Sequence, residues 1–291
     1  MIQRLSYREI DFEKYQICVD QSVQKNFYAK KEILDVLCEE WELLIAGDYD
    51  FVMPVPLKKK FGFRFVLMPL FCQQLGIFGK EQNREMEQQF LLFLNKNYRI
   101  FSYYFNHQNA FKQNLKFKKN YVIERTEYTS LRKNYFKGRK STVKTAQYLN
   151  FVSVDLSEVS AFIKDNFKGL EKKNDFQKLV NYLNFLESEK MLTIFGAFKD
   201  NELASLAIMI RENDCYALLG LVNDEKFRLD NGASFLIDRI LKEHIREKSF
   251  DFMGGSIRGI EVFFKSFGSS LQQYPVIENS KKDLLINFFR K

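Results

Sequence analysis

FDFMGGSIRGIEVFFKSFGSS, residues 250–270, reads in three parts. A short apolar strand ends at Gly254 and Gly255, a polar break follows, and an aromatic segment then presents Lys265 among Phe263, Phe264 and Phe267. Glycine has no Cβ, so a chain turns sharply at such a strand end and another group can approach its backbone. Asp251 alternates with Phe250 and Phe252, which puts it on the opposite face of its strand.

The elements upstream follow from periodicity. SFLIDRILKEHIREK (234–248) sets Phe235 or Leu236, Ile237, Ile240, Leu241, His244 and Ile245 at helical spacing. The loop FRLDNGA (227–233) precedes it, after three strand-like runs divided by polar turns: LTIFGAF (192–198), LASLAIMI (203–210) and CYALLGLV (215–222). The first half repeats the order with WELLIAG (41–47), FVMPVPL (51–57), FRFVLMPLF (63–71), the loop CQQLGIFGK (72–80), the helix NREMEQQFLLFLNKN (83–97) and the strand YRIFSYYF (98–105). An offset of about 150 residues relates the halves, with Phe51 against Glu202, Phe65 against Tyr216 and Arg99 against Phe250. This order predicts an α+β chain of two tandem lobes, each a mixed, mostly antiparallel sheet flanked by helices. The lobes divide at 1–118 and 119–291, with a linker near the cation-rich stretch 116–125.

Composition narrows the chemistry. With 291 residues and 46% hydrophobic content, the chain can bury a large core. Cys18, Cys38, Cys72 and Cys215 are scattered without metal-ligand spacing, and the only two histidines are His107 and His244, so no zinc site and no His-dependent triad is expected. The amino terminus is charged from Arg4 onward, and no apolar run is long enough to span a bilayer. A cytoplasmic protein without a metal is the expectation. A net charge of +8 suits either an anionic partner or plain solubility.

Strand, strand, strand, loop, helix, strand is the order of the GNAT (N-acetyltransferase) fold, and the whole chain resembles its tandem form, the Fem-type aminoacyltransferases. FDFMGG followed by GIEVFFKSFG resembles that group's closing signature. FKGRKSTVKTAQYLNFVSV (136–154) is similar to its basic helix, with Arg139, Lys144 and Ala146 in place, and MPLFCQQLGIFG (68–79) to its first-lobe loop. The resemblance implies transfer of an acyl or aminoacyl group, from acyl-CoA or aminoacyl-tRNA, to an amine such as one on a cell-wall precursor. It also implies peripheral contact with a membrane-bound precursor, and a first lobe that is a degenerate copy.

Residue roles follow as implications of that resemblance. Lys265 would face a developing oxyanion or a phosphate, Tyr216 would donate a proton, and Asp251 would accept one, with Glu261 the other nearby carboxylate. Arg228, Asn231, Gly232 and Ala233 would cradle the donor's phosphates, because a helix start offers free N–H groups to an anion. This loop departs from the R/Q-x-x-G-x-G/A pattern: Asn231 replaces a glycine and Asp230 adds a negative charge. Substrate contacts are expected from Arg139, Lys144, Gln74, Gly254 and Gly255. The segment 132–144 carries six cations, no acid, and the aromatics Tyr135 and Phe136. That composition leaves open a different class of function, a non-catalytic module that binds RNA or another polyanion.

Overall fold

The computed structural model describes all residues except Phe61, Glu171, Lys281 and 285–291, and nothing of the Lys173 side chain. Two compact units make up the chain: Met1–Lys118 together with Gln273–Lys291, and Lys119–Gln272.

The first unit runs β1 (Ile2–Leu5), α1 (Phe12–Gln21), α2 (Lys31–Leu37), β2 (Glu40–Ala46), β3 (Phe51–Lys60), β4 (Phe63–Val66), β5 (Phe78–Gly79), α3 (Arg84–Asn97) and β6 (Ser102–Tyr104). Its sheet has the order β1-β2-β3-β4, with β5 also on β3. Leu43, Leu44, Val52, Met53, Phe90, Leu91 and Leu94 fill the core that the periodicity anticipated.

Next comes β7 (Lys116–Ile123), where the sequence suggested a linker. The three lysines and one asparagine of KFKKNYVI mask a strand whose second half is buried at Asn120, Tyr121 and Ile123, and β7 pairs antiparallel with a later strand at Ile123 and Val122. Tertiary pairing has overridden local polarity.

The second unit continues with α4 (Tyr128–Asn134), α5 (Lys137–Thr145), β8 (Asn150–Val154), α6 (Leu156–Asn166), α7 (Lys173–Ser188), β9 (Leu192–Lys199), β10 (Glu202–Arg211), β11 (Cys215–Asn223), α8 (Gly232–His244), β12 (Ser249–Asp251) and α9 (Arg258–Lys265). Its strands lie in the order β7-β12-β11-β10-β9-β8. The apolar stripe of α8, with Phe235, Leu236, Ile237, Ile240 and Leu241, packs in one core with Phe250, Phe252, Phe264 and Phe267. The chain ends in β13 (Ser270–Glu278), whose Val276 and Ile277 pair with Tyr104 and Tyr103 of β6. Residues from Gln273 onward therefore group with the first unit, where the sequence pattern had continued the second to residue 291.

The pairing of β11 with β12 is short. The two strands run parallel and match only at Cys215, Tyr216 and Ala217 against Ser249, Phe250 and Asp251. Beyond Asp251 the chain leaves the sheet through Met253, at φ 52°, and Gly255, at φ 139°. Residues 218–223 of β11 thus extend past their last partner on β12. On the other edge, the β10 register shifts between Ile208 and Met209, whose partners are Gly220 and Leu218, so Leu219 is a bulged extra residue. The first unit holds one parallel bridge of its own, Val66 to Ile100, and Ala217 and Asp251 each lie 151 residues downstream of that pair.

Candidate functional site

Along the part of β11 that lies beyond its last partner on β12, a cleft of about 310 Å³ is lined by Leu221 and Asn223, by Arg228, Asn231, Gly232, Ala233 and Ser234 around the start of α8, and by Phe263 of α9. Asn231 sits in the left-handed region at φ 60°, which Asn tolerates better than most residues, and so takes the place of the missing glycine. Its amide donates to the carbonyl of Leu229 and does not cap the helix. The first N–H groups of a helix have no intrahelical acceptor, so α8 points open donors and the positive end of its dipole at the cleft. α3 differs, because the Asn83 side chain accepts from the N–H of Met86 and closes that helix start. Gly232 is required by space: a Cβ there would lie 2.3 Å from Oγ of Ser205.

Asp230, the negative charge that the loop pattern made awkward, is turned to other partners. Its carboxylate accepts from Nζ of Lys199 at 2.7 Å and from the hydroxyl of Tyr148, and its pKa is lowered chiefly by that lysine.

Arg139 stands behind the cleft wall. It donates to Oγ of Ser266 at 2.8 Å and to Oγ of Ser234, and its guanidinium lies 4.4 Å and 4.7 Å from the ring centres of Phe263 and Phe267. Burial lowers its pKa. It therefore clamps α5, the start of α8 and the end of α9 together, and Lys144 is exposed one helix turn beyond it. Tyr135 is buried, Arg132 lies 3.9 Å from the buried Asp238, and Lys140 donates to the carbonyl of Lys133. Of the basic segment, Lys133, Phe136, Lys137 and Lys144 are exposed. The cation-and-aromatic pattern thus divides between a structural clamp and a solvated surface.

A second cluster gathers at the end of β12. Asp251 is the last paired residue, and its Oδ1 accepts the N–H of Met253 at 2.6 Å. Desolvation raises its pKa from 3.8 to about 6. Asn120 of β7 is fully buried and accepts the N–H of Gly254 at 2.9 Å. Gly255 packs on Tyr121 so closely that a Cβ would lie 2.4 Å from the ring. The Tyr121 hydroxyl donates at 2.8 Å to Oε1 of Glu261, which also accepts from Nζ of Lys119 at 2.9 Å and Nζ of Lys265 at 2.8 Å. Three donors on one carboxylate, with Lys265 the largest contributor, lower the Glu261 pKa to about 2. Glu261 raises the Lys265 pKa in turn, so that ammonium stays charged.

Neither Asp251 nor Lys265 is among the residues that line the cleft, and two further expected residues lie in neither group. Tyr216 is buried at the zipped end of the wedge, 5.0 Å from the ring of His244. Gln74 is buried in the first unit, where it donates to Gln73 and accepts the N–H of His107. Sequence reasoning passed over Lys119, Asn120 and Tyr121, which it had assigned to a linker. The signal was there in the apolar run Tyr121-Val122-Ile123 that closes the stretch.

No protein-family model matches the chain, and no curated protein matches it in sequence. Solved structures do. FemX superposes with a TM-score of 0.64 at 9% identity, over 99% of this chain and 100% of that one. The fold is GNAT-like and of the Fem type. A conserved protein of unknown function from Bacteroides thetaiotaomicron gives 0.59 at 10% identity, over 96% and 100% of the two chains. A tandem GNAT protein from the clavulanic acid biosynthesis pathway gives 0.54 at 8%, over 95% and 97%. The expected class, α+β with two tandem GNAT-like lobes, is the one observed. In this Fem-type fold the open helix start and the strand divergence both belong to the second unit. Among the described residues, no group of His, Cys, Asp and Glu is arranged to hold a metal, and no helix is long and apolar enough to cross a membrane.

Proposed function

We propose that this chain is an N-acyltransferase whose second unit delivers an activated acyl or aminoacyl carbonyl to an amine. One observation carries the reading: the stretch of β11 left without a β12 partner lines a cleft that reaches a helix start with no side-chain cap. Backbone groups freed on β11 can pair with the donor's amides, and the α8 start can hold its phosphates. The same positions of the first unit carry Ile100 in place of Asp251 and a capped helix, which argues for one working site.

The reaction needs no covalent enzyme intermediate. The amine nitrogen attacks the carbonyl carbon, a tetrahedral oxyanion forms, and the C–S bond of a thioester or the C–O bond of an aminoacyl ester breaks as the carbonyl reforms. Asp251, the last β12 residue paired with β11, accepts the proton the nitrogen sheds, and the protonated carboxyl returns it to the departing thiolate or ribose oxygen. Lys265, held charged by Glu261, faces the developing negative charge or a phosphate. Tyr216 has no part in this scheme because it lies in the core. Arg139 positions the walls and Lys144 stays available to a distant phosphate.

Acyl-CoA is the donor that fits a small cleft at a helix start, with aminoacyl-tRNA the alternative that the Fem-type fold suggests. The test is transfer of radiolabel from acetyl-CoA, longer acyl-CoAs or aminoacyl-tRNA to a panel of amines, including nucleotide-linked muropeptides. Lys265→Met should lower kcat/KM by roughly 100-fold and Asp251→Asn by roughly 100-fold or more, in the range typical for electrostatic and proton-transfer groups. Donor consumption that is absent throughout, alongside tight salt-sensitive RNA binding, would refute the acyltransferase reading.

A further inference from the structure

The mouth of the cleft carries an ion triad that the acyl-transfer scheme does not use. Lys168, in the connection between α6 and α7, and Arg228, in the loop before α8, both line the cleft with Glu225 between them. Nζ of Lys168 lies 3.0 Å from one carboxylate oxygen of Glu225, and the Arg228 guanidinium lies 3.4 Å from the other. One cation on each oxygen is the arrangement in which two cations share a phosphate. Lys168, before Arg228, lowers the Glu225 pKa, so the carboxylate is charged at neutral pH. All three side chains are largely exposed, at 77%, 74% and 64%. Exposed pairs of this kind contribute little, so exchanging Glu225 for another anion costs little. Asp224 also lines the cleft, but its carboxylate is engaged by the N–H of Lys226.

We propose that Lys168 and Arg228 form a second anion position, for a donor phosphate set apart from the one at the α8 start, and that Glu225 occupies this position until the donor arrives. The inference rests on the reading of the cleft as a donor site, and adds to it a phosphate contact from outside the α8 loop and a resident competitor. A donor with separated phosphates gains over one with a single phosphate, since only the former reaches both positions. Glu225 then sets a threshold: mononucleotides and free phosphate, which bridge one position, compete poorly with a tethered carboxylate.

Calorimetric titration of the full-length protein, its Glu225→Gln variant and its Lys168→Met variant tests this, with CoA, dephospho-CoA, inorganic pyrophosphate and uncharged tRNA as probes. Glu225→Gln should tighten CoA by about three- to fivefold, Lys168→Met should weaken it by a similar factor, and both effects should shrink as salt rises. A loss of sensitivity to Lys168→Met with dephospho-CoA identifies the phosphate as the one that probe lacks; the same pattern with tRNA, and none with CoA, identifies a nucleic-acid phosphate as the source. CoA or tRNA binding that is indifferent to both substitutions overturns the second anion position and leaves the donor cleft standing. Failure of every probe with every variant overturns the donor cleft as well.

Discussion

In the proposed scheme Asp251 pulls stability and activity in opposite directions. Its pKa is raised from 3.8 to about 6 because desolvation disfavours the charged form, against the opposing help of the Met253 N–H and Asn120. The folded state therefore binds this proton more tightly than the unfolded chain does. Stability from this group is fully present below about pH 4 and is lost as pH rises toward 6. Asp251→Asn keeps the size and the acceptor oxygen while removing the charge. Thermal denaturation of the variant at pH 7 should show a gain on the order of 1 kcal/mol, fading below about pH 4, because the group is only partly shielded from water. Transfer by the wild type should climb with pH through about 6, and the variant's profile should lack that limb. A variant that is no more stable at pH 7, or that keeps the rising limb, would remove Asp251 from its proposed role.

The strand end after β12 works as an element, and its two glycines are not equivalent. Gly255 has φ 139°, and its missing Cβ leaves room for the Tyr121 ring, whereas nothing lies within 4 Å of a Cβ built on Gly254. Gly255→Ala must both strain the backbone and displace Tyr121, the donor that helps fix Glu261 and through it Lys265. It should cost roughly 1–3 kcal/mol in urea denaturation and lower turnover, while Gly254→Ala should fold as the wild type does. Equal stability of the two variants would contradict this division. The same segment marks the limit of sequence reading. β9, β10, β11 and α8 were legible because each repeats a period over several turns or alternations, and a core face follows from a period. The sequence pattern carries β12 to Gly255, but the strand stops at Asp251, because the divergence depends on what β7 offers its other edge. Glu261 lies one helix turn before Lys265, but Lys119 and Tyr121 belong to β7, which only its pairing with β12 brings beside them.

At the scale of the whole molecule, the chain's last described strand belongs to the unit that holds its beginning. Tyr274 and Val276 of β13 are 4% and 2% exposed, Val276 and Ile277 pair with β6, and Glu278 forms an ion pair with Lys118 at 2.5 Å. Asn279 adds a bond from its side chain to the carbonyl of Ile100, the residue of the first unit's own parallel bridge. At the 151-residue offset the stretch matching β13 is 119–127, which falls in the second unit and holds the part of β7 that pairs with β12, so a boundary drawn between the repeats misplaces the closing strand of each half. Burial of two large side chains contributes about 1.5–3 kcal/mol each, a sizeable fraction of the stability of an ordinary domain. Truncation after Gln272 should therefore damage the first unit, although all of residues 1–118 remain. Limited proteolysis of the truncated chain should cut early within 1–118 and leave a resistant core spanning most of 119–272, and the urea midpoint of the first unit should fall. If the shortened chain resists protease throughout and unfolds at the wild-type midpoint, β13 is dispensable and the unit is complete without it.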